Sequence, residues 1–151
     1  MNAMRDAIRR SVEIHAPIQR VWELVSEPGW WINQGELVQH RIEYDGDTCV
    51  VHDEALGAFP LGIDVLEPPH RAVFTWLAGE QGGEGARTRT EFVLEENEPG
   101  TVVLTVTESG FAAMTPEQYR RTYDDNVEGW ELELGVARDA LEGAGQERAG
   151  A

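Results

Sequence analysis

The stretch TPEQYRRTYDDNVEGWELELGVARDAL, residues 115–141, decides the fold. Thr115 stands where an N-cap belongs, Pro116 at the first helical position, and Gln118 three residues after the cap, the reciprocal arrangement of a capping box. Behind them Tyr119, Tyr123, Val127, Trp130, Leu134, Ala137 and Leu141 recur at steps of three or four. One apolar stripe therefore runs along a helix of about 25 residues, nearly 40 Å long at about 1.5 Å per residue. A stripe of that length needs a broad surface to lie on. Gly129 and Gly135 interrupt the helix, each at a cost of about 1 kcal/mol relative to alanine, so a close backbone approach to a sheet or a ligand is expected there. Residues 143–151 read as a frayed tail.

The surface lies upstream, where the hydrophobic period is 2 until Phe111 and 3.6 after it. Ser11 to Ala16 alternate, with Val12, Ile14 and Ala16 on one face, as in a half-buried strand. Pro17 then opens a short helix carrying Ile18, Val21, Trp22 and Val25, which Pro28-Gly29 stops. Trp30 to Gln34 read as a second short helix of a turn or two. From there on, Gly, Pro and Asn/Asp clusters separate runs of strand length: Leu37–Tyr44, Thr48–Glu54, Phe59–Leu66, Ala72–Leu77, Thr88–Leu94 and Thr101–Glu108. Ala78 to Ala86, rich in Gly and Glu, read as a mobile loop. The expected architecture is α+β, a curved antiparallel sheet of about six strands wrapped around one long C-terminal helix, with two short helices after the first strand.

Composition narrows the function. A chain of 151 residues with 41% hydrophobic and 26% charged residues is long enough for one cored domain, and a second full domain is not expected. There are 28 acidic against 12 basic residues, all of the latter arginines, for a formal charge of −16. A phosphate backbone or an anionic membrane surface needs a basic stripe, so neither nucleic acid nor membrane is expected as a partner. Lone Cys49 has no disulfide partner, and the polar N-terminus shows no apolar span or signal segment; the cytoplasm is the expected compartment.

Several segments together carry a family likeness: Val12-Glu-Ile-His-Ala-Pro-Ile-Gln-Arg-Val-Trp22, Glu67-Pro-Pro-His-Arg-Ala-Val-Phe-Thr-Trp76, Thr90-Glu-Phe-Val-Leu94, Glu108-Ser-Gly-Phe111 and Asn126-Val-Glu-Gly-Trp130. In that order they resemble the START-like (SRPBCC) superfamily, and within it the bacterial branch related to activators of the heat-shock protein 90 ATPase. The likeness covers residues 11–142, which it marks as the helix-grip domain, with flexible termini at 1–10 and 143–151. It implies a cavity between sheet and long helix, used across the superfamily for lipids, polyketides, hormones or other apolar molecules. Eukaryotic activators use the domain to contact a chaperone, but with a second domain, so chaperone stimulation by this chain alone is not expected.

No catalytic constellation, metal site or cofactor is expected from the spacing. His15, His40, His52 and His70 fall in different elements with no ligand spacing, and neighbours in His52-Asp53-Glu54 would face opposite sides of a strand. Cys49, among valines, reads as an inert thiol. The aromatic residues converge more tellingly. Trp31, Phe59, Phe74, Trp76, Phe92, Tyr119, Tyr123, Val127 and Trp130 should gather between sheet and helix, with Glu108 at one end and Asn126 beside the stripe. An apolar cavity with a few convergent polar groups suits a small ligand. The expected function is non-catalytic binding of a small hydrophobic or aromatic molecule. The alternatives are a cyclase-like or hydrolytic enzyme in the same cavity, and an interaction module with a protein partner or a second copy.

Overall fold

A computed structural model describes residues 5–33, 35–77 and 88–150. The loop expected at Ala78 to Ala86, and Gln34, lie outside the described residues. Seven strands form one antiparallel sheet: β1 (Ala7–Ile14), β2 (Arg41–Asp45), β3 (Thr48–Asp53), β4 (Gly57–Glu67), β5 (Arg71–Trp76), β6 (Arg89–Glu98) and β7 (Thr101–Ser109). Their order is β1-β7-β6-β5-β4-β3-β2, a meander whose last strand returns to pair with the first. Helix α1 (Ile18–Val25) follows β1, and α2 (Pro116–Gly150) closes the chain. This is the helix-grip α+β plan, with seven strands rather than about six because the opening strand joins the same sheet.

Burial follows the two periods. Along β7, Val102, Leu104, Val106 and Glu108 point inward, and their register carries that face across neighbouring strands. One cross-sheet row reads Ile8, Glu108, Thr90, Phe74 and Ile63. Against this face α2 sets Trp130, Leu134, Ala137 and Leu141, while α1 sets Val21, Trp22 and Val25. Burying each large side chain contributes about 1.5–3 kcal/mol, so this face carries much of the stability. The capping box is present as expected: Gln118 N donates to Thr115 Oγ1 at 3.1 Å, and Thr115 N donates to Gln118 Oε1 at 3.0 Å.

Several bounds differ from expectation. Strand β1 begins at Ala7 rather than Ser11, because the ladder to β7 extends through Arg9 and Arg10, whose polar side chains mask the alternation. Residues 37–40 precede β2 without regular structure. Helix α2 runs to Gly150, through residues expected to form a frayed tail.

The second short helix is not formed. Trp30 N donates to Glu27 O and Ile32 N to Gly29 O, which makes two successive turns. Gly29 sits at φ +74°, and a Cβ there would lie 2.9 Å from both Val51 methyls. Only glycine fits that turn. With Trp30, Trp31 and Ile32 all buried, the segment has no polar face for a surface helix and dips into the core instead. Among the described residues no helix is long and apolar enough to cross a membrane.

Candidate functional site

The turn at Gly29 drives Trp31 into the space between the sheet and α2. Its ring centroid lies 6.0 Å from Trp76 on β5, 5.8 Å from Trp130 on α2, 5.7 Å from Phe74 and 5.4 Å from Phe92. Phe59 packs edge-on against Trp76 at 5.8 Å. A cavity of about 220 Å³ opens beside the three tryptophans. Its polar wall comes from Asn33 after the turn, Glu108 on β7, and Asp125, Asn126 and Glu133 on α2, with Gly129 between them.

Glu108 is only 2% exposed, in a row otherwise apolar but for Thr90. It is satisfied from two sides. Trp130 Nε1 donates to its Oε1 at 2.8 Å and Asn126 Nδ2 to the same oxygen at 3.1 Å, while the Thr88 hydroxyl donates to Oε2. Steps of three and four along α2 place Asn126, Trp130 and Glu133 over this strand end. Glu133 is treated differently: it is 7% exposed, and its Oε1 has no partner among the described residues. Burial pushes its carboxyl up to about 7, against a smaller opposing effect of the hydrogen bond with Asn33.

Of the residues singled out in the sequence, Trp31, Trp76, Glu108, Asn126 and Trp130 come together on the cavity wall. Phe74 and Phe92 lie fully buried against Trp31, and Phe59 and Val127 are partly buried and pack against the core, off the cavity wall. Tyr119 and Tyr123 stand elsewhere. They stack on each other at 4.9 Å, the Tyr123 hydroxyl donates to Ala7 O at 3.1 Å, and the Tyr119 hydroxyl accepts from Arg5 N at 3.0 Å. Their hydroxyls thus fasten α2 to the start of β1. A close approach to the sheet, one of the two alternatives expected at Gly129 and Gly135, is not what the structure places there: a Cβ on Gly129 would meet nothing within 4 Å, and one on Gly135 only the end of the Arg138 side chain.

Asn33, Asp125 and Glu133 were not among the site residues read from the sequence, and Gly129 was singled out there only for a close backbone approach to a sheet or a ligand. For Glu133 a signal existed, since it lies three residues after Trp130 on the same helical face. A second cavity, of about 390 Å³, shares Asn33 and is lined by His40 and Asp53. His40 Nε2 and Asp53 Oδ2 are 2.8 Å apart with both side chains nearly buried, and the hydrogen bond to His40 is the largest of the effects holding the Asp53 carboxyl below its usual range. His52 turns instead to Glu43 across the β2–β3 hairpin, at 2.6 Å. Burial raises the Cys49 thiol, which disfavours the reactive thiolate. Among the described residues no cluster of three His, Cys, Asp or Glu could hold a metal ion.

Residues 15–136 match the family model described as Activator of Hsp90 ATPase homolog 1-like protein. The chain belongs to this family. Solved structures repeat the fold at low identity. A protein of Mesorhizobium loti superposes with TM-score 0.69 at 21% identity, over 90% of this chain and 96% of that one. The Aha1 dimer from Colwellia psychrerythraea gives 0.66 at 18% identity, over 90% and 96%. The Zhui aromatase/cyclase from Streptomyces sp. R1128 gives 0.65 at 18% identity, over 90% and 93%. A comparison with curated proteins finds no match.

Proposed function

We propose that this family member binds a small, flat, largely apolar molecule in the cavity between its sheet and α2. The observation that supports the reading is the wall itself: Trp31, Trp76 and Trp130 surround about 220 Å³ that ends on buried carboxyl groups. Apolar faces with a few fixed polar groups hold and orient a small ligand. The test is native mass spectrometry of freshly purified protein, followed by solvent extraction. A co-purifying small molecule, or quenching of tryptophan emission by added aromatic compounds, is the expected result. A bare mass together with emission unmoved by a panel of such compounds would overturn it. The same spectrum reads the oligomeric state, a dimer being what the Colwellia structure reports for that protein.

A second reading, a cyclase-like or hydrolytic enzyme, draws on one observation. Glu133 carries a carboxyl poised near neutrality on the cavity wall, the condition a general acid or base requires. Product formation from an extracted ligand, lost in Glu133→Gln while binding persists, would favour this reading over simple binding.

A further inference from the structure

We propose that the occupant of the cavity is an organic cation: a flat aromatic or apolar body carrying an amine, gripped by indole faces and carboxylates. The inference rests on the binding reading above and names the chemistry of the ligand. The wall is charged in one sense only. Glu108, Asp125 and Glu133 reach it, and no arginine or histidine is among the described residues that line it. The chain's formal charge of −16 acts in the same direction, concentrating cations and repelling anions.

The apolar part of the wall is equally selective, because indole offers the strongest cation–π face among the side chains and three indoles crowd one space here. Glu133 supplies the independent sign of a missing partner. Its Oε1 is buried and bonded to nothing among the described residues, which costs free energy unless a donor arrives. An ammonium brings up to three N–H donors and a charge. A neutral aromatic ligand would account for the indoles and leave the buried Glu133 oxygen without a donor; an anion would be disfavoured by the acidic wall.

A pH signature follows. The titratable groups around Glu133 are Glu108 from β7 and Asp125 from α2 itself, with His40 and Asp53 across Asn33 in the adjoining cavity. Since burial keeps the Glu133 proton on until about pH 7, docking of a cation expels that proton, and affinity rises with pH through that region. A neutral ligand accepting a hydrogen bond from the protonated carboxyl would show the opposite slope.

The experiment titrates the intact chain with 2-phenylethylamine, 2-phenylethanol and 3-phenylpropionate, following tryptophan emission at pH 5.5 and pH 8. The amine is expected to bind roughly tenfold more tightly than the alcohol at pH 8, weaken at pH 5.5, and leave the carboxylate compound far behind. In Glu133→Gln, whose thermal midpoint reports that the fold persists, the amine's pH slope should vanish. If the alcohol equals or exceeds the amine, or the amine tightens as pH falls, the cation inference is wrong while ligand binding stands. Silence from all three compounds also overturns it, and the co-purification experiment then decides the binding reading separately.

Discussion

Trp130 Nε1 lies 2.8 Å from Glu108 Oε1, so the long helix is fastened to the last strand of the sheet through one buried hydrogen bond as well as by its apolar stripe. The indole does two things at once: it lines the cavity and its N–H helps to satisfy a carboxyl that is only 2% exposed. Trp130→Phe separates these. The ring area largely stays, the donor goes, and Glu108 keeps Asn126 and Thr88. Unfolding by urea should show a loss of about 1–3 kcal/mol, the usual penalty for removing a hydrogen bond to a buried charged group. An unchanged midpoint would mean that the bond contributes nothing to holding the helix in place.

The start of α2 was legible because a capping box is a local pattern, and the stripe after it because residues three and four apart must share a face. The tryptophans of the site were legible for the same reason: large aromatic residues at inward positions have few other places to go. Glu133 was legible only in part, since it follows Trp130 by three residues but in Glu131-Leu-Glu-Leu134 also looks like a solvated neighbour of leucine. His40 and Asp53 are thirteen residues apart with a hairpin strand between them, so no spacing rule joins them. The hydroxyls of Tyr119 and Tyr123 do want partners, as the sequence implied, and the backbone at Arg5 and Ala7 provides them.

That last point gives a second prediction. Tyr123→Phe removes the bond to Ala7 O at the start of β1. It should cost about 0.5–1 kcal/mol, at the low end for a hydrogen bond because the group is partly exposed, and it should leave ligand affinity unchanged. Weakened binding at unchanged stability would place the hydroxyl in the site after all.

Glu133 makes stability depend on pH in a defined direction. Below its ordinary value of 4.5 the carboxyl is protonated whether the chain is folded or not. Between 4.5 and about 7 the unfolded chain ionises and the folded one does not, so stability falls as pH rises. Above that window both states are ionised and the full burial penalty remains, on the order of 3 kcal/mol for a shift of this size. Glu133→Gln should therefore be more stable than the parent at pH 8 and lose that advantage below pH 4.5, as read by urea unfolding at stepped pH.

Asp53 works with the opposite sign. His40 holds its carboxyl down, with help from the backbone N–H groups of Ala55 and Leu56 at 2.8 Å, so its contribution is present above the ordinary aspartate range and disappears as pH falls through the lowered one. Asp53→Asn should cost about 1 kcal/mol near neutrality, a modest figure because the amide keeps the size of the side chain and one oxygen acceptor. The deficit should close in acid. A deficit that stays constant however far the pH is lowered would assign the loss to packing rather than charge.

Gly129 lines the cavity in the middle of a helix, with nothing within 4 Å of where a Cβ would stand. On helix propensity alone, Gly129→Ala should stabilise the chain by about 1 kcal/mol, because no close contact opposes the methyl group. The glycine is thus a weakness in α2 that no close packing contact among the described residues requires, and it stands on the cavity wall. Because Gly129 is part of the cavity wall, an added methyl group there should lower ligand affinity as stability rises. Thermal melts and tryptophan-emission titrations on the same preparation measure both. If stability rises and affinity holds, the open side of the helix has no role in binding, and Gly129 is simply a tolerated cost.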